Sequence, residues 1–336
     1  MIAETTTYKT YCNCLAMERG LRPSGHAGDF QDAFILEAPL PWKLDMMQKA
    51  GALPQTVIDL LALWLQEYYA GNGYLHRPLV IAPDPEYSRE GFRRVMFYTR
   101  PAGMFAAYEK TEYSVPEAEA GDLIRAWYQE RGRLPRFEPY RAPEADVTRD
   151  ILICTHGTVD AACAKFGYPL YKYMRDHCAH DGLRVWRVSH FGGHVFAPTL
   201  MDMPHGGYWA YIDKAQAQQI ATRTGDVSLL DGHYRGWAGV EDGFMQAAED
   251  ALWQMHGWDW FNWRKSGEIT ATEAAEQPSW ADVQIRYVTP KGEHGAYTVR
   301  IEVRQYIETI VTTGDERVYN YPQYLAAGIS QTISAN

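Results

Sequence analysis

Asp150-Ile-Leu-Ile-Cys-Thr-His-Gly-Thr-Val-Asp-Ala-Ala-Cys-Ala-Lys-Phe-Gly-Tyr-Pro-Leu170 is the stretch that decides the architecture. A short apolar run ending at Cys154 has the length and composition of a buried strand. Gly157 shapes the turn that follows, and Asp160 stands where an N-cap opens a helix running to His177. The next apolar run, Arg184–Val188, reads as a second strand. Beyond it, Phe196–Leu200 and Trp209–Ile212 are strand-like, and Lys214–Arg223 has a helical pattern.

Working outward, the upstream chain repeats that order. Ala33–Glu37 is a strand stopped by Pro39 and Pro41, Lys43–Ala50 a helical piece, and Thr56–Tyr68 a helix with an apolar face. Pro78–Ala82, Arg94–Tyr98 and Met104–Tyr113 follow as strands, and Glu117–Arg131 as a helix. This β-α-β-β-β-α order is close to a thioredoxin-type layout. Downstream, Gly239–His256 reads as an amphipathic helix, and Val283–Val288 with Tyr297–Val311 as a β-hairpin before a short polar terminus. Trp237, Trp253, Trp258, Trp260, Trp263 and Trp280 crowd this tail and are expected to glue it to the rest, because large aromatics fill cores efficiently. The reading is therefore α/β (α+β), with two tandem thioredoxin-like domains plus a C-terminal Trp-rich helix and β-hairpin. The expected divisions are an irregular lead-in over 1–30, a redox-silent domain over 31–131 and a linker over 132–149. The domain carrying the Cys and His residues covers 150–235, and the extension 236–336.

Cys154 and Cys163, with His190 and His194, supply two thiolates and two imidazoles. Such soft and borderline donors select zinc, copper or iron–sulfur over the hard cations that prefer oxygen. Histidines at i and i+4 would share a helix face, but Gly192 and Gly193 lie between them, each costing a helix about 1 kcal/mol against alanine. A glycine pair fits instead a tight loop where backbone must approach something closely. Eight residues between the cysteines exceed the roughly two to four of a zinc knuckle, so spacing does not favour zinc. Taken singly, each of the four reads as ordinary core. Taken together they are harder to explain that way.

The pattern C-x8-C followed by H-x-G-G-H, set in the stretch above and in Arg184-Val-Trp-Arg-Val-Ser-His-Phe-Gly-Gly-His-Val-Phe-Ala-Pro-Thr199, resembles the sucrase/ferredoxin-like family of thioredoxin-like ferredoxins. The likeness is specific over residues 150–212 and looser through Glu37-Ala-Pro-Leu-Pro-Trp42 and the Trp-rich tail. The resemblance implies a [2Fe–2S] cluster, with Cys154 and Cys163 on one iron and His190 and His194 on the other, and a role in electron transfer. It leaves His156 outside the ligand set as a neighbour, together with Gly192 and Gly193. Lys165 and Arg187 read as solvated charges or as cations that stabilise added electron charge.

For those ligands, two ferric ions, two sulfides and two thiolates sum to zero, whereas four thiolates would leave minus two. Replacing Cys by His therefore raises the reduction potential. Ferric iron also acidifies a bound imidazole N–H, so electron uptake is expected to couple to protonation at higher pH.

A net charge of −10 and the lack of any Lys/Arg-rich block argue against a nucleic-acid partner. The acidic balance fits docking to a basic patch on a redox partner protein. No apolar stretch approaches the ~18 residues of a membrane span, and Met1–Tyr8 lacks the basic start and apolar core of a signal peptide. The expectation is a cytoplasmic protein without membrane contact. Five cysteines, an odd number, do not make a secreted disulfide pattern. Cys12 and Cys14 read as free thiols, and Cys178, between His177 and His180, as incidental to a helix end. Gly71-Asn-Gly-Tyr-Leu-His76 lacks the last glycine and the preceding strand of a dinucleotide site.

Two rival functions stand beside the carrier reading. A zinc-stabilised structural or interaction protein with the same four ligands would be redox-inert. A glycoside hydrolase needs two carboxylates at a defined separation, which a chain with 42 acidic residues neither shows nor excludes; no nucleophile elbow or zinc-protease helix supports it. A dithiol oxidoreductase is disfavoured because the chain has no C-x-x-C. No catalytic residue is assigned.

Overall fold

The computed structural model describes residues 10–49, 51–72 and 76–333. The readings that fall on Met1–Tyr8, on Ala50, on Gly73, Tyr74 and Leu75, and on the last three residues lie outside the described residues. The described residues open on a seven-residue helix, α1 (Cys12–Glu18), within the stretch expected to be irregular. The first half then runs β1 (Asp32–Glu37), α2 (Gln55–Glu67), β2 (His76–Ile81), β3 (Phe92–Thr99), β4 (Glu109–Pro116) and α3 (Ala120–Tyr128). The second half runs β5 (Arg149–Cys154), α4 (Ala161–His177), β6 (Leu183–Val188), β7 (Leu200–Met203), β8 (Gly207–Trp209), α5 (Lys214–Thr222) and β9 (Tyr234–Trp237). Segment 44–49 is turn rather than helix, and the strand expected at Phe196–Leu200 starts only at Leu200, because a 3-10 turn (His194–Phe196) comes first.

Both halves share one topology. β1 lies parallel to β2 and antiparallel to β3, which is antiparallel to β4. Likewise β5 lies parallel to β6 and antiparallel to β7, which is antiparallel to β8. The two second strands meet, so a nine-stranded sheet has the order β4-β3-β1-β2-β6-β5-β7-β8-β9. That junction is narrow: β2 and β6 pair through Ile81 and Val188 alone. Ser189 reinforces it, its N–H donating to Val80 O (2.8 Å) and its Oγ accepting from Val80 N (3.0 Å).

Strand side chains alternate between faces, and the first half buries both. Ala33, Ile35, Leu79, Ile81, Met96 and Tyr98 share the core of the second half, while Phe34, Leu36, Val80, Val95 and Phe97 pack with α2 and α3 residues such as Val57, Leu60, Leu123 and Ile124. The two halves are thus one body, and a buried ion network crosses between them. Asp150 accepts from Tyr98 Oη (2.8 Å), Lys110 Nζ (2.5 Å) and Trp186 Nε1 (2.8 Å), and Arg184 bridges Asp150 (2.9 Å) to Glu112 (2.6 Å). The expected linker, 132–149, is also no free tether. Its prolines suit 3-10 turns over Arg131–Tyr140 and Pro143–Ala145, and Phe137 is fully buried in the first-half core.

The C-terminal extension needs the largest correction. In place of a helix and one hairpin, helix α6 (Gly243–His256) packs against a four-stranded antiparallel sheet of β10 (Arg264–Thr272), β11 (Trp280–Val288), β12 (His294–Ile310) and β13 (Val318–Ile333). The stretch read as a polar terminus is β13, paired along β12 from Ile310–Val318 to Gly295–Ile333. One face of β10 and β13 is largely exposed, which removes the apolar signal that marks a strand in sequence. Trp237, Trp253 and Trp260 are fully buried in the common core, as the gluing role requires.

Candidate metal centre

Cys154 ends β5 and pairs with Val188, the end of β6. Because these neighbours are parallel, the chain leaves both at one edge, and His190 follows two residues later. Cys163 lies in the first turn of α4, whose N-cap is Asp160 as expected, its side chain accepting from Ala162 N. Helix and strand approach very closely: a Cβ on Gly167 would stand 2.0 Å from the Cys154 carbonyl oxygen. Only glycine permits that contact, and it brings Cys163 beside Cys154.

His190 Nδ1 lies 3.9 Å from Cys154 Sγ and 3.8 Å from Cys163 Sγ. The three donor atoms fall within 4.8 Å of one another, both cysteines being buried. Gly192 and Gly193 carry the next turn with φ of +96° and +77°, the left-handed region that favours glycine. The turn leaves the His190 and His194 rings 5.3 Å apart. His194 is outside the tight group of three. Its Nδ1 is buried without an aligned hydrogen bond, 3.3 Å from Asp160 Oδ2.

Asp160 does more than cap α4. It accepts from Thr313 N (2.8 Å) and Thr313 Oγ1 (2.6 Å), and Cys12 Sγ approaches at 3.8 Å. A carboxylate facing the ring of a ligand histidine is the usual outer support of a metal site. His156 is buried and its Nδ1 accepts from the His190 backbone N–H (3.3 Å), with the ring edge-on to Trp42. It braces the histidine loop. Lys165 is exposed on α4, and Arg187 lies over Tyr168 with Nε 3.4 Å from Thr155 Oγ1.

Hydrogen bonding from Cys163 and the adjacent His190 hold Cys154 well below the usual thiol range, while sharing with Cys154 and burial push Cys163 up. Burial, then the neighbouring His190, lowers the pKa of His194; burial lowers that of His156. For Asp160 burial works upward but is outweighed by the Thr313 and Ala162 hydrogen bonds and by His194, so the carboxylate stays ionised. The remaining cysteines are free thiols: Cys14 is exposed, burial pushes Cys12 up to about 11, and buried Cys178 donates to Gln218 Oε1 (3.4 Å). His180 Nδ1 accepts from Gly182 N, and this tract gathers no metal-ligand group.

Two buried sulfurs, an imidazole between them and a second imidazole with an unaligned buried nitrogen make a donor set that fits iron–sulfur or zinc. Bond lengths of about 2.3 Å to sulfur and 2.0 Å to nitrogen around a tetrahedral ion put S and N roughly 3.5 Å apart, a few tenths of an ångström inside the separations found.

The fold is a mixed α/β body with a buried thiol–imidazole site able to hold a metal ion. The chain belongs to the sucrase/ferredoxin-like family, whose signature matches residues 23–236. Comparisons with curated proteins and with solved structures find no match. The matched span holds all four candidate ligands; Cys12 and Thr313, which reach Asp160, lie outside it. Sequence reasoning misses those two contacts and the brace at Trp42, although Trp42 stands in the Pro-Leu-Pro-Trp stretch that carries part of the resemblance. No helix among the described residues is long and apolar enough to cross a membrane.

Proposed function

We propose that the protein is a one-electron carrier in which Cys154, Cys163, His190 and His194 hold a [2Fe–2S] cluster, thiolates on one iron and imidazoles on the other. The observation that carries this reading is the placement of Cys154, Cys163, His190 and His194, the four positions of the family pattern, at one edge of the sheet in a chain of this family. When bound, the cluster supplies a single-electron donor and acceptor. The chain's own residues bind, orient and shield. The first turn of α4 sets Cys163 beside Cys154, the thiol that Cys163 and His190 hold low. The cysteines are closed to solvent, while the His194 side chain stays 15% exposed and Asp160 faces its ring. His156 fixes the backbone of His190.

An acidic chain suits a basic redox partner protein. Five free cysteines fit a reducing compartment such as the cytoplasm.

The sulfur–nitrogen separations of 3.8–3.9 Å favour a second reading, a single zinc ion that only stabilises the fold. Anaerobic purification decides between them, with absorption spectra before and after dithionite and with iron, sulfide and zinc counted on one sample. A brown protein that bleaches and holds about two irons and two sulfides supports the carrier. A colourless protein with about one zinc, resistant to cluster reconstitution, rejects it.

A further inference from the structure

Among the described residues, four cationic side chains are deeply buried: Lys110, Arg184, Arg235 and Lys265. Three of them face carboxylates. Lys110 meets Asp150 and Glu112, Arg184 meets the same two, and Lys265 lies 3.7 Å from Glu249. Arg235, on β9, makes no ion pair among the described residues. Its Nε donates to His26 O (3.0 Å) and another of its nitrogens to the same carbonyl, while a third donates to Gly192 O (3.2 Å) and Thr199 Oγ1 (3.3 Å). The faces of Phe196 and Tyr208 flank it at 5.0 and 5.3 Å. The like charge of Arg77 is within electrostatic reach, and Glu241 lines the same cavity without reaching ion-pair distance.

Carbonyls and rings satisfy donors but do not cancel a full charge. A buried guanidinium without a counter-ion is expensive, and it is retained only where some anion answers it. The groups that Arg235 grips identify where that anion belongs. Gly192 is in the turn between His190 and His194. Thr199 is tied to the other ligand strand, because Cys154 N donates to Thr199 O (3.2 Å). Gly193 is shaped to the guanidinium, since a Cβ there would stand 2.4 Å from an Arg235 nitrogen. The charge on Cys154 also opposes the fall in the Arg235 pKa that burial causes, so sulfur and guanidinium are within electrostatic reach.

We propose that Arg235 is the fixed counter-charge of the centre, a positioning residue whose buried cation answers the negative charge that arrives with the extra electron and so favours the reduced state. This rests on the electron-carrier reading. It differs from a clamp role, in which the arginine matters only through the carbonyls it holds.

The test compares wild type, Arg235→Met and Arg235→Lys in the full chain after cluster loading. Iron and sulfide counts and the midpoint potential are measured by dye-mediated titration. The expected result is a potential shifted to more negative values in Arg235→Met and unchanged in Arg235→Lys, which keeps the charge and alters the hydrogen bonds. A fully loaded Arg235→Met at the wild-type potential overturns the proposal. If Arg235→Met does not fold, Arg235→Lys decides alone: retention at the wild-type potential supports the counter-charge, and a lost or shifted centre leaves the clamp role. If wild type takes up zinc and no cluster, the carrier reading has failed first. Zinc affinity against a competing chelator then tests Arg235 by itself. Affinity weakened tenfold or more in Arg235→Met and kept in Arg235→Lys supports it, and equal affinities in all three reject it.

Discussion

Thr313 holds Asp160 with both its backbone N–H (2.8 Å) and its hydroxyl (2.6 Å), across 153 residues of chain. The turn that leaves β12 is thereby fastened to the first turn of α4, one residue shell from Cys163 and 3.3 Å from His194. The C-terminal sheet is part of how the candidate centre is held, although it lies beyond the family span.

Removing the Thr313 hydroxyl in Thr313→Val should cost about 1–2 kcal/mol, the value of a buried hydrogen bond to a charged acceptor. Asp160→Ala also removes the α4 cap and should cost about 2–4 kcal/mol. Urea midpoints measure both, and metal per chain should fall in Asp160→Ala. Wild-type stability and metal content in Asp160→Ala would show that the fastening is incidental.

Gly167 is where helix meets strand. Gly167→Ala forces a Cβ against backbone that cannot yield cheaply, so a loss of about 2–3 kcal/mol is expected, with weaker metal retention because Cys154 and Cys163 move apart. Gly132→Ala, where nothing lies within 4 Å and φ is ordinary, is the control and should be neutral or slightly stabilising.

Asp150→Ala strips the acceptor from Lys110, Arg184, Tyr98 and Trp186 between the two halves. Breaking such a buried network costs about 3–5 kcal/mol. Because the halves share one core, denaturant should unfold the wild type in a single transition seen alike by tryptophan fluorescence and circular dichroism. Two separated transitions would contradict the shared core.

Asp250 supplies a pH signature away from the centre. Burial pushes its pKa up to about 7, partly opposed by Ser24, and its Oδ1 has no hydrogen-bond partner. Between the unfolded value of about 3.9 and pH 7, the folded state binds a proton that the unfolded state lacks. Stability therefore falls as pH rises through that window and stays reduced above it. Asp250→Asn should be more stable than wild type at pH 8, by about 1–2 kcal/mol once partial exposure is allowed for. The advantage should vanish near pH 4. A constant difference at both pH values would assign the effect to packing.

The site was legible where its chemistry is local. Cys154 and Cys163 flank one strand-to-helix turn, His190 and His194 follow the neighbouring strand, and the glycine pair announces a tight loop, so the four donors could be brought to one edge on paper. His194 could be named from the motif, but its place outside the tight group could not. What depends on contacts across the fold left no trace in spacing. Cys12 reads as a free thiol, Thr313 falls in the stretch read as a polar terminus, and Arg235 is one of 32 basic residues. Their contacts exist only in the folded chain. The repeated β-α-β-β-β order was readable from periodicity, whereas β10 and β13 were not, since strands with a solvated face and scattered Gly and Ala carry little apolar alternation.

The most direct measurement is pulsed electron paramagnetic resonance on the dithionite-reduced, cluster-loaded protein, for wild type, His190→Cys and His194→Cys. The ligand set predicts couplings to two imidazole nitrogens in wild type and to one in each variant, with every sample keeping its iron and sulfide. Wild-type protein whose reduced centre shows no nitrogen coupling, or that holds no paramagnetic centre at all, would contradict the assignment of His190 and His194.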